Sequence, residues 1–238
     1  MSEHRNGFGQ PIGFPVPGWT ARPRPPATPM TGRYCRVEPV DIERHAAELF
    51  EANAEDDGRN WTYLPAERPA DPAAYKTWLS GMAAGNDPMF HAIVETAGGR
   101  AVGIASYLRI DPGVGSIEVG HINYAPRLQR TAAATEAMFL MMARAFDELG
   151  YRRYEWKCDS LNAPSRAAAA RYGFRYEGIF VQATIYKARN RDTAWYSITD
   201  KEWPTVKSAF ERWLDPANFD AAGKQRLSLS ELTRAAAR

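Results

Sequence analysis

The part of this 238-residue chain with the most chemical potential runs from Ser116 to Thr135. A strand-like run, Ser116 to Tyr124, leads through the loop Pro126-Arg127-Leu128-Gln129-Arg130-Thr131 into a helical pattern that opens on Ala132-Ala133-Ala134. The first N–H groups of a helix lack intrahelical partners and carry partial positive charge, so a loop entering a helix on small side chains can hold a phosphate or pyrophosphate through its backbone. Small residues matter there because the anion must come close to the main chain. Alanine runs also open many helices that bind nothing, and on spacing alone a plain helix cap is the better reading. The segment is neither a GxxxxGK[ST] loop nor a dinucleotide fingerprint. Downstream, Asn162-Ala163-Pro164-Ser165 places a good N-cap ahead of a second short helix.

These residues need elements to hold them. Met89 to Thr96, Ala101 to Ile110 and Ser116 to Tyr124 are three strand candidates separated by the turns Ala97-Gly98-Gly99 and Asp111-Pro112-Gly113, which predicts an antiparallel meander. Ala132 to Leu149 carries Ala134, Met138, Met142, Ala145 and Leu149 on one face, with Gly150 as its stop. Arg152 to Asp159 alternates, Tyr154, Trp156 and Cys158 against Arg153, Glu155 and Lys157, so strand, helix and strand form a crossover that can be parallel. Two helices precede the sheet, one near 41–54 behind Asp41 and one from Asp71-Pro72 to Gly85, with the aromatic loop Trp61 to Pro65 between them. A helix from Asn162 through Tyr172 follows the crossover. Tyr176 to Lys187 and Thr193 to Thr199 then read as a hairpin turning at Ala188-Arg189-Asn190-Arg191, with Lys187, Arg189 and Arg191 as a solvated tip. Pro204 opens an amphipathic helix, and Ser228 to Glu231 offers a capping box for a last short one.

Composition narrows the classes. Hydrophobic residues at 45% are ample for a core, and 30 basic against 28 acidic residues leave +2, so no global field points to nucleic acid or to an acidic membrane. Tyr151 to Lys157 interleaves aromatics with charges as an RNA-stacking surface would, yet its alternation buries Tyr154 and Trp156. Cys35 and Cys158 are far apart with no ligand clustering, so no disulfide framework and no metal site is implied. No apolar run approaches a membrane span and the first 30 residues lack a signal-peptide core, which leads to the expectation of a cytoplasmic protein. Of 17 prolines, eight fall in the first 39 residues, which reads as an extended arm rather than a packed element.

Gln129 to Ala137 resembles the acetyl-CoA loop of GNAT N-acetyltransferases, in the form used by the Rim-type ribosomal-protein N-terminal acetyltransferases. Ile117-Glu118-Val119-Gly120, Asn162-Ala163-Pro164-Ser165, Tyr172 to Gly178, Asp192 to Tyr196 and Glu202-Trp203 resemble further segments of that subfamily, in family order, over roughly Arg33 to Trp203. The resemblance implies an α+β fold: a mixed, mostly antiparallel sheet of about seven strands, splayed between the fourth and fifth and flanked by helices. It implies acetyl-CoA as donor, with pyrophosphate on N–H groups of Gln129, Arg130, Thr131, Ala132, Ala133, Ala134 and Thr135. The pantetheine would pair along Ile122, Asn123 and Tyr124, and Asn162 would add a contact. The family's first loop glycine is Ala132 here, which is tolerated if that position is helical and not if it needs φ above zero.

By the same resemblance Glu118 stands where the family places a catalytic glutamate and Ser165 where Rim-type relatives place a serine near the CoA sulfur. A tyrosine that some relatives use as acid is matched by Ala169, and a glutamate that one relative uses is matched by Thr184, which leaves Glu118 or a water as base. His121 has an ordinary pKa near ~6.5 in the same neighbourhood, but strand parity puts it on the opposite face from Glu118 and favours a structural role. The implied activity is acetyl transfer to a primary amine, a protein or peptide α-amine among the candidates. A non-catalytic acyl-CoA-binding module is the alternative. Residues 33–203 are expected to form the acetyltransferase-like domain, 1–32 a proline-rich arm with Ile12, Phe14, Val16 and Trp19 as anchors for the domain or for a second subunit of a homodimer, and 204–238 a C-terminal helix and polar tail.

Overall fold

The computed structural model describes residues 4–236. Ten strands and six α-helices run in the order β1 (His4–Arg5), β2 (Pro11–Ile12), β3 (Met30–Thr31), β4 (Cys35–Pro39), α1 (Ile42–Asn53), α2 (Pro72–Ala83), β5 (Met89–Glu95), β6 (Ala101–Asp111), β7 (Ser116–Tyr124), α3 (Ala132–Ala143), β8 (Arg153–Asp159), α4 (Ala163–Arg171), β9 (Arg175–Tyr186), β10 (Arg189–Thr199), α5 (Trp203–Leu214) and α6 (Leu229–Ala236). Eight strands form one sheet in the order β3-β4-β5-β6-β7-β8-β10-β9, and β7 with β8 is its parallel pair. The fold is α+β, and β3, a two-residue edge strand, makes the sheet one strand wider than the expected seven.

Local chemistry starts the helices where the sequence places them. Asp41 accepts from the N–H groups of Glu43 and Arg44, Asp71 from that of Ala74 ahead of an N-terminal proline turn, and Thr131 from that of Ala134. The long helical run does not stay α-helical to Leu149. Its last turn, Arg144 to Glu148, widens to a π-turn, where Arg144 donates to the backbone oxygens of Thr28 and Pro29 at 2.6 and 3.1 Å. A buried guanidinium with those partners ties the arm to the domain.

Helices cover the two faces unequally. The α3 side of the sheet packs Val37, Ile93, Tyr107, Ile117, Val119, Tyr154, Trp156 and Phe174 with Met138, Met142 and Phe210 from the helices. On the other side α1 and α2 bring Leu49, Tyr75 and Leu79 onto Phe90, Ala92 and Ile104, with Trp61 of the connecting loop. The outer strand β9 stays exposed along most of its length, Phe180, Val181 and Ile185 included. Helix α5 belongs to the main core through Trp203, Val206, Phe210 and Trp213, and α6 starts with the expected box, in which Ser228 and Glu231 exchange hydrogen bonds at 3.0 and 3.2 Å.

Two expectations change. The hairpin turns one register earlier, at Lys187-Ala188, which hold φ of 50° and 55°, so β10 begins at Arg189 instead of Thr193. Lys187 reaches the oxygen of Trp61 at 2.7 Å and Arg189 that of Thr62 at 2.9 Å, so the tip is latched to the loop before α2 instead of solvated. The arm is not wholly extended either: β1 and β2 pair, and Trp19 seats its ring where a side chain on Gly115 would stand and donates to Gly113 O at 2.7 Å.

Candidate active site

Strands β7 and β8 pair from Ser116–Arg153 to Val119–Trp156 and then part. The cause lies on the other edge of β7. Between the pairs Ile104–Asn123 and Ser106–Gly120, β6 has one residue and β7 has two, His121 and Ile122. This bulge puts His121 at φ 49° and bends β7 away from its parallel neighbour. The opening leads to the N-terminus of α3.

At that end the groups are backbone. Among the described residues the N–H groups of Arg130, Ala132 and Ala133 have no partner, whereas those of Gln129, Thr131, Ala134 and Thr135 bond to Ala125 O, Leu128 O, Thr131 Oγ1 and Thr131 O. The expected set of seven donors is therefore three. Ala132 is the first helical residue and the positive φ, 63°, falls on Arg130 instead, so the alanine meets the helical condition. Three free donors at the start of a 12-residue helix fit a pyrophosphate. A cavity of about 490 Å³ adjoins them, lined by Arg130, Thr131, Ala132 and Tyr34 and walled by Trp213 and Phe219.

The next helical turn has another task. Glu136 accepts from the N–H groups of Arg33, Tyr34 and Cys35 at 2.8, 2.6 and 2.9 Å, and a Cβ on Gly32 would lie 2.3 Å from its carboxylate. This glutamate organises the turn into β4. Gln129 donates its side-chain amide to Tyr124 O at 2.9 Å and to Asn60 Oδ1 at 3.1 Å, fastening the loop to the end of β7.

Side chains build the opposite end. Glu118 is 3% exposed; both its oxygens lie 2.8 Å from Arg109 Nη1, and one lies 2.8 Å from Lys157 Nζ. Burial raises its carboxyl pKa and the two cations oppose that rise. Lys157 also pairs with Glu155 at 2.7 Å and lies 3.8 Å over the Trp195 ring, and Arg153 continues the chain of charges from Glu155 to Glu177. Glu118 thus stands inside an alternating ion-pair row across β6, β7, β8 and β9. Neither Arg109 nor Lys157 carried a sequence signal, because cross-strand register alone unites them.

The bulge overturns the parity argument for His121. Its ring lies on the Glu118 side, with Nδ1 2.9 Å from Ser106 Oγ and the ring centroid 5.1 Å from that of Phe90. Asn123 shares this face through its pairing with Ile104, and both atoms of its buried amide lack a partner in the protein. The buried Tyr124 hydroxyl is also unpartnered. Ile122 packs against the core as a half-buried residue. Ser165 lies on the α3 side, where Oγ accepts from Trp156 Nε1 at 3.0 Å and its N–H bonds to the Asn162 cap at 3.1 Å. Ala169 is wholly buried and Thr184 exposed. A second cavity, about 340 Å³, lies under the hairpin latch between Trp61, Arg68, Lys187 and Arg189. Among the described residues no cluster of His, Cys, Asp or Glu could hold a metal ion, and no helix is long and apolar enough to cross a membrane.

A sheet that parts at its parallel pair, with a capped helix whose first N–H groups are free behind the opening, has the architecture of an acyl-CoA-type transferase, and the comparisons agree. The acetyltransferase (GNAT) domain family matches residues 36–175. A GCN5-related N-acetyltransferase from Brucella melitensis is 47% identical, with a TM-score of 0.90 over 92% of this chain and 100% of that one. A probable acetyltransferase of the GNAT family from Chromobacterium violaceum is 40% identical, with a TM-score of 0.76 over 82% and 98%. The ribosomal-protein-S5-alanine acetyltransferase from Vibrio fischeri, 16% identical with a TM-score of 0.59 over 74% and 98%, shares the fold. No curated protein matches the chain. This chain belongs to the GNAT acetyltransferase family, whose members transfer acetyl groups from acetyl-CoA.

Proposed function

We propose that the chain transfers the acetyl group of acetyl-CoA to a primary amine, a protein or peptide α-amine being the best candidate. The observation that carries this reading is the parting of β7 and β8 beyond Val119 and Trp156, which leads to three unpartnered N–H groups at the start of α3. In this reading Arg130, Ala132 and Ala133 hold the pyrophosphate through their N–H groups, and Thr131, Ala134 and Thr135 shape the turn. The free edge of Ile122, Asn123 and Tyr124 receives the pantetheine, and the Asn162 cap keeps α4 at its flank. When bound, acetyl-CoA supplies a thioester carbonyl that an amine nitrogen attacks.

The chain's own residues set the protonation around that step. Ser165 keeps a hydroxyl proton that can go to the departing sulfur, since its oxygen is already oriented by Trp156. Glu118, clamped between Arg109 and Lys157, acts by fixing those cations and the edge of the opening. An α-amine suits the site because its pKa near ~8, against ~10.4 for lysine, leaves more of it unprotonated at neutral pH. A cytoplasmic setting fits two free, buried thiols.

Purified protein is incubated with acetyl-CoA and a panel of peptides and small amines, and free thiol is followed together with the mass of the acceptor. Acceptor-dependent thiol release with a gain of one acetyl group per amine is the expected outcome. Acetyl-CoA binding with no acceptor modified would refute it.

A further inference from the structure

Among the histidines of the central sheet and α1, His121 has the ring nitrogen that is both unpartnered and open, since the unpartnered Nε2 of His91 is enclosed by protein. His45 is committed at both nitrogens, accepting from Asp41 N–H at 3.0 Å and meeting Glu38 at 3.0 Å, and His91 is fully buried with Nδ1 on Met89 O at 3.1 Å. The His121 Nε2 has no partner among the described residues and is not enclosed by protein. Its other nitrogen is fixed. The Ser106 hydroxyl donates to Gly120 O at 3.2 Å, so its oxygen is left to accept from Nδ1–H at 2.9 Å. That network assigns the tautomer with a lone pair on Nε2.

The bulge aims that lone pair. Without the extra residue, His121 would point to the α3 side; with it, the ring stands on the Glu118 face where β7 and β8 separate, edged by Phe90. Strained backbone at an opening is where functional geometry concentrates. The charged groups facing the ring are Arg109 of β6 and Arg191 of β10, and Glu118 on the same face is paired with Arg109 and Lys157. Burial, assisted by the two arginines, pushes the imidazole pKa down to about 4, so Nε2 stays unprotonated at neutral pH.

We infer that His121, and not Glu118, is the group that takes the acceptor amine's proton, with Ser106 as the residue that fixes its tautomer. This rests on the reading that the site acetylates a primary amine. As the amine nitrogen forms its bond to the thioester carbonyl carbon, the carbon–sulfur bond breaks and the electron pair leaves on sulfur. One N–H proton passes to Nε2, and the imidazolium then yields it to solvent while the thiolate takes a proton from water or from Ser165, whose oxygen recovers one from solvent. No oxidant or further co-reactant is needed.

The test uses the full-length enzyme, acetyl-CoA and an amine acetylated by the wild type, with acetylated product measured by mass. In His121→Asn, which keeps a donor toward Ser106, kcat is expected to fall about 10²–10³-fold with KM for acetyl-CoA unchanged. Added imidazole should restore acetylated acceptor in proportion to its concentration. Ser106→Ala, a milder change, should lower kcat about tenfold and leave CoA affinity intact. A His121→Asn enzyme within threefold of wild-type kcat would overturn the inference, as would a loss that imidazole does not restore while CoA still binds. If His121→Asn does not fold, Ser106→Ala decides: an unchanged kcat overturns the inference. A wild type that acetylates no amine defeats the underlying reading of function, an outcome separate from an active wild type with an equally active His121→Asn.

Discussion

At the α3 end of the opening every group placed to meet a phosphate belongs to the backbone of one continuous segment, Arg130 to Ala133. At the other end the groups are side chains from several strands: Ser106 and Arg109 on β6, Glu118, His121 and Asn123 on β7, Lys157 on β8. The first end is local, its unpartnered donors lying within four consecutive residues. The second is assembled across the sheet, buried and charged. A helix start needs only a capping residue and small side chains, whereas a charged row needs strand register to place each cation beside its carboxylate. The donor end should therefore tolerate substitutions that keep a helix start, and the acceptor end should respond to any change in charge.

The largest effect is expected from Glu118→Gln. It leaves the buried Lys157 with Glu155 alone and frees Arg109, at a cost of roughly 3–5 kcal/mol in denaturant unfolding. A loss below about 1 kcal/mol would show that the row does not hold the two halves of the sheet together. Titration separates the ends next. His91 and His121 are both pulled from an ordinary 6.5 to about 4, chiefly by burial. Between those values the unfolded chain binds more protons than the folded one, so stability is complete above pH 6.5 and falls as pH drops toward 4. The fall is on the order of 3 kcal/mol for the fully buried His91. Denaturation midpoints at pH 7 and pH 5 measure it, and His121→Asn should flatten the slope.

A smaller and more selective effect is expected at the donor end. Ala132→Pro removes one of the three free donors at a position where proline suits a helix, after a residue already extended at φ −98° and ψ 167°. CoA affinity by calorimetric titration should weaken by about 2 kcal/mol, roughly thirtyfold, with Tm nearly unchanged, and Ala132→Gly should leave affinity intact. Equal affinity in the proline variant would move the pyrophosphate elsewhere. The smallest effect, about 1 kcal/mol of stability, is expected from Lys187→Met, which removes the bond to Trp61 O and the pair with Glu67 at 3.3 Å. If the latch shapes the acceptor side, this variant changes KM for the amine and not the affinity for CoA.

The two ends also differed in legibility. Thr131 as cap, Ala132 to Ala134 as helix start and Gly150 as stop are statements about neighbours in sequence, and they put α3 and its first turn in place before any tertiary contact is known. Hydrophobic alternation likewise located β5 to β8 to within two residues. Parity failed at His121, because a bulge adds a residue to one strand only, and whether that happens depends on the partner strand. The solvated reading of Lys187 and Arg189 failed for a related reason, since the carbonyls they reach lie more than a hundred residues away in sequence. Glu118 was singled out by its place on the strand in the family resemblance, yet its burial was not legible and Arg109 and Lys157 come to it from separate strands.

The sequence by itself determined the central helices and strands and the helix start at Ala132, because those rest on periodicity and caps that a short window contains, and it pointed to the family through motifs that resemble it in order. Tertiary structure alone decided how many of the seven expected donors are free, which face His121 occupies and which cations hold Glu118. The first follows from how the loop folds back on Ala125 and Leu128, and the other two from register, which is a property of pairs of strands that no single segment encodes.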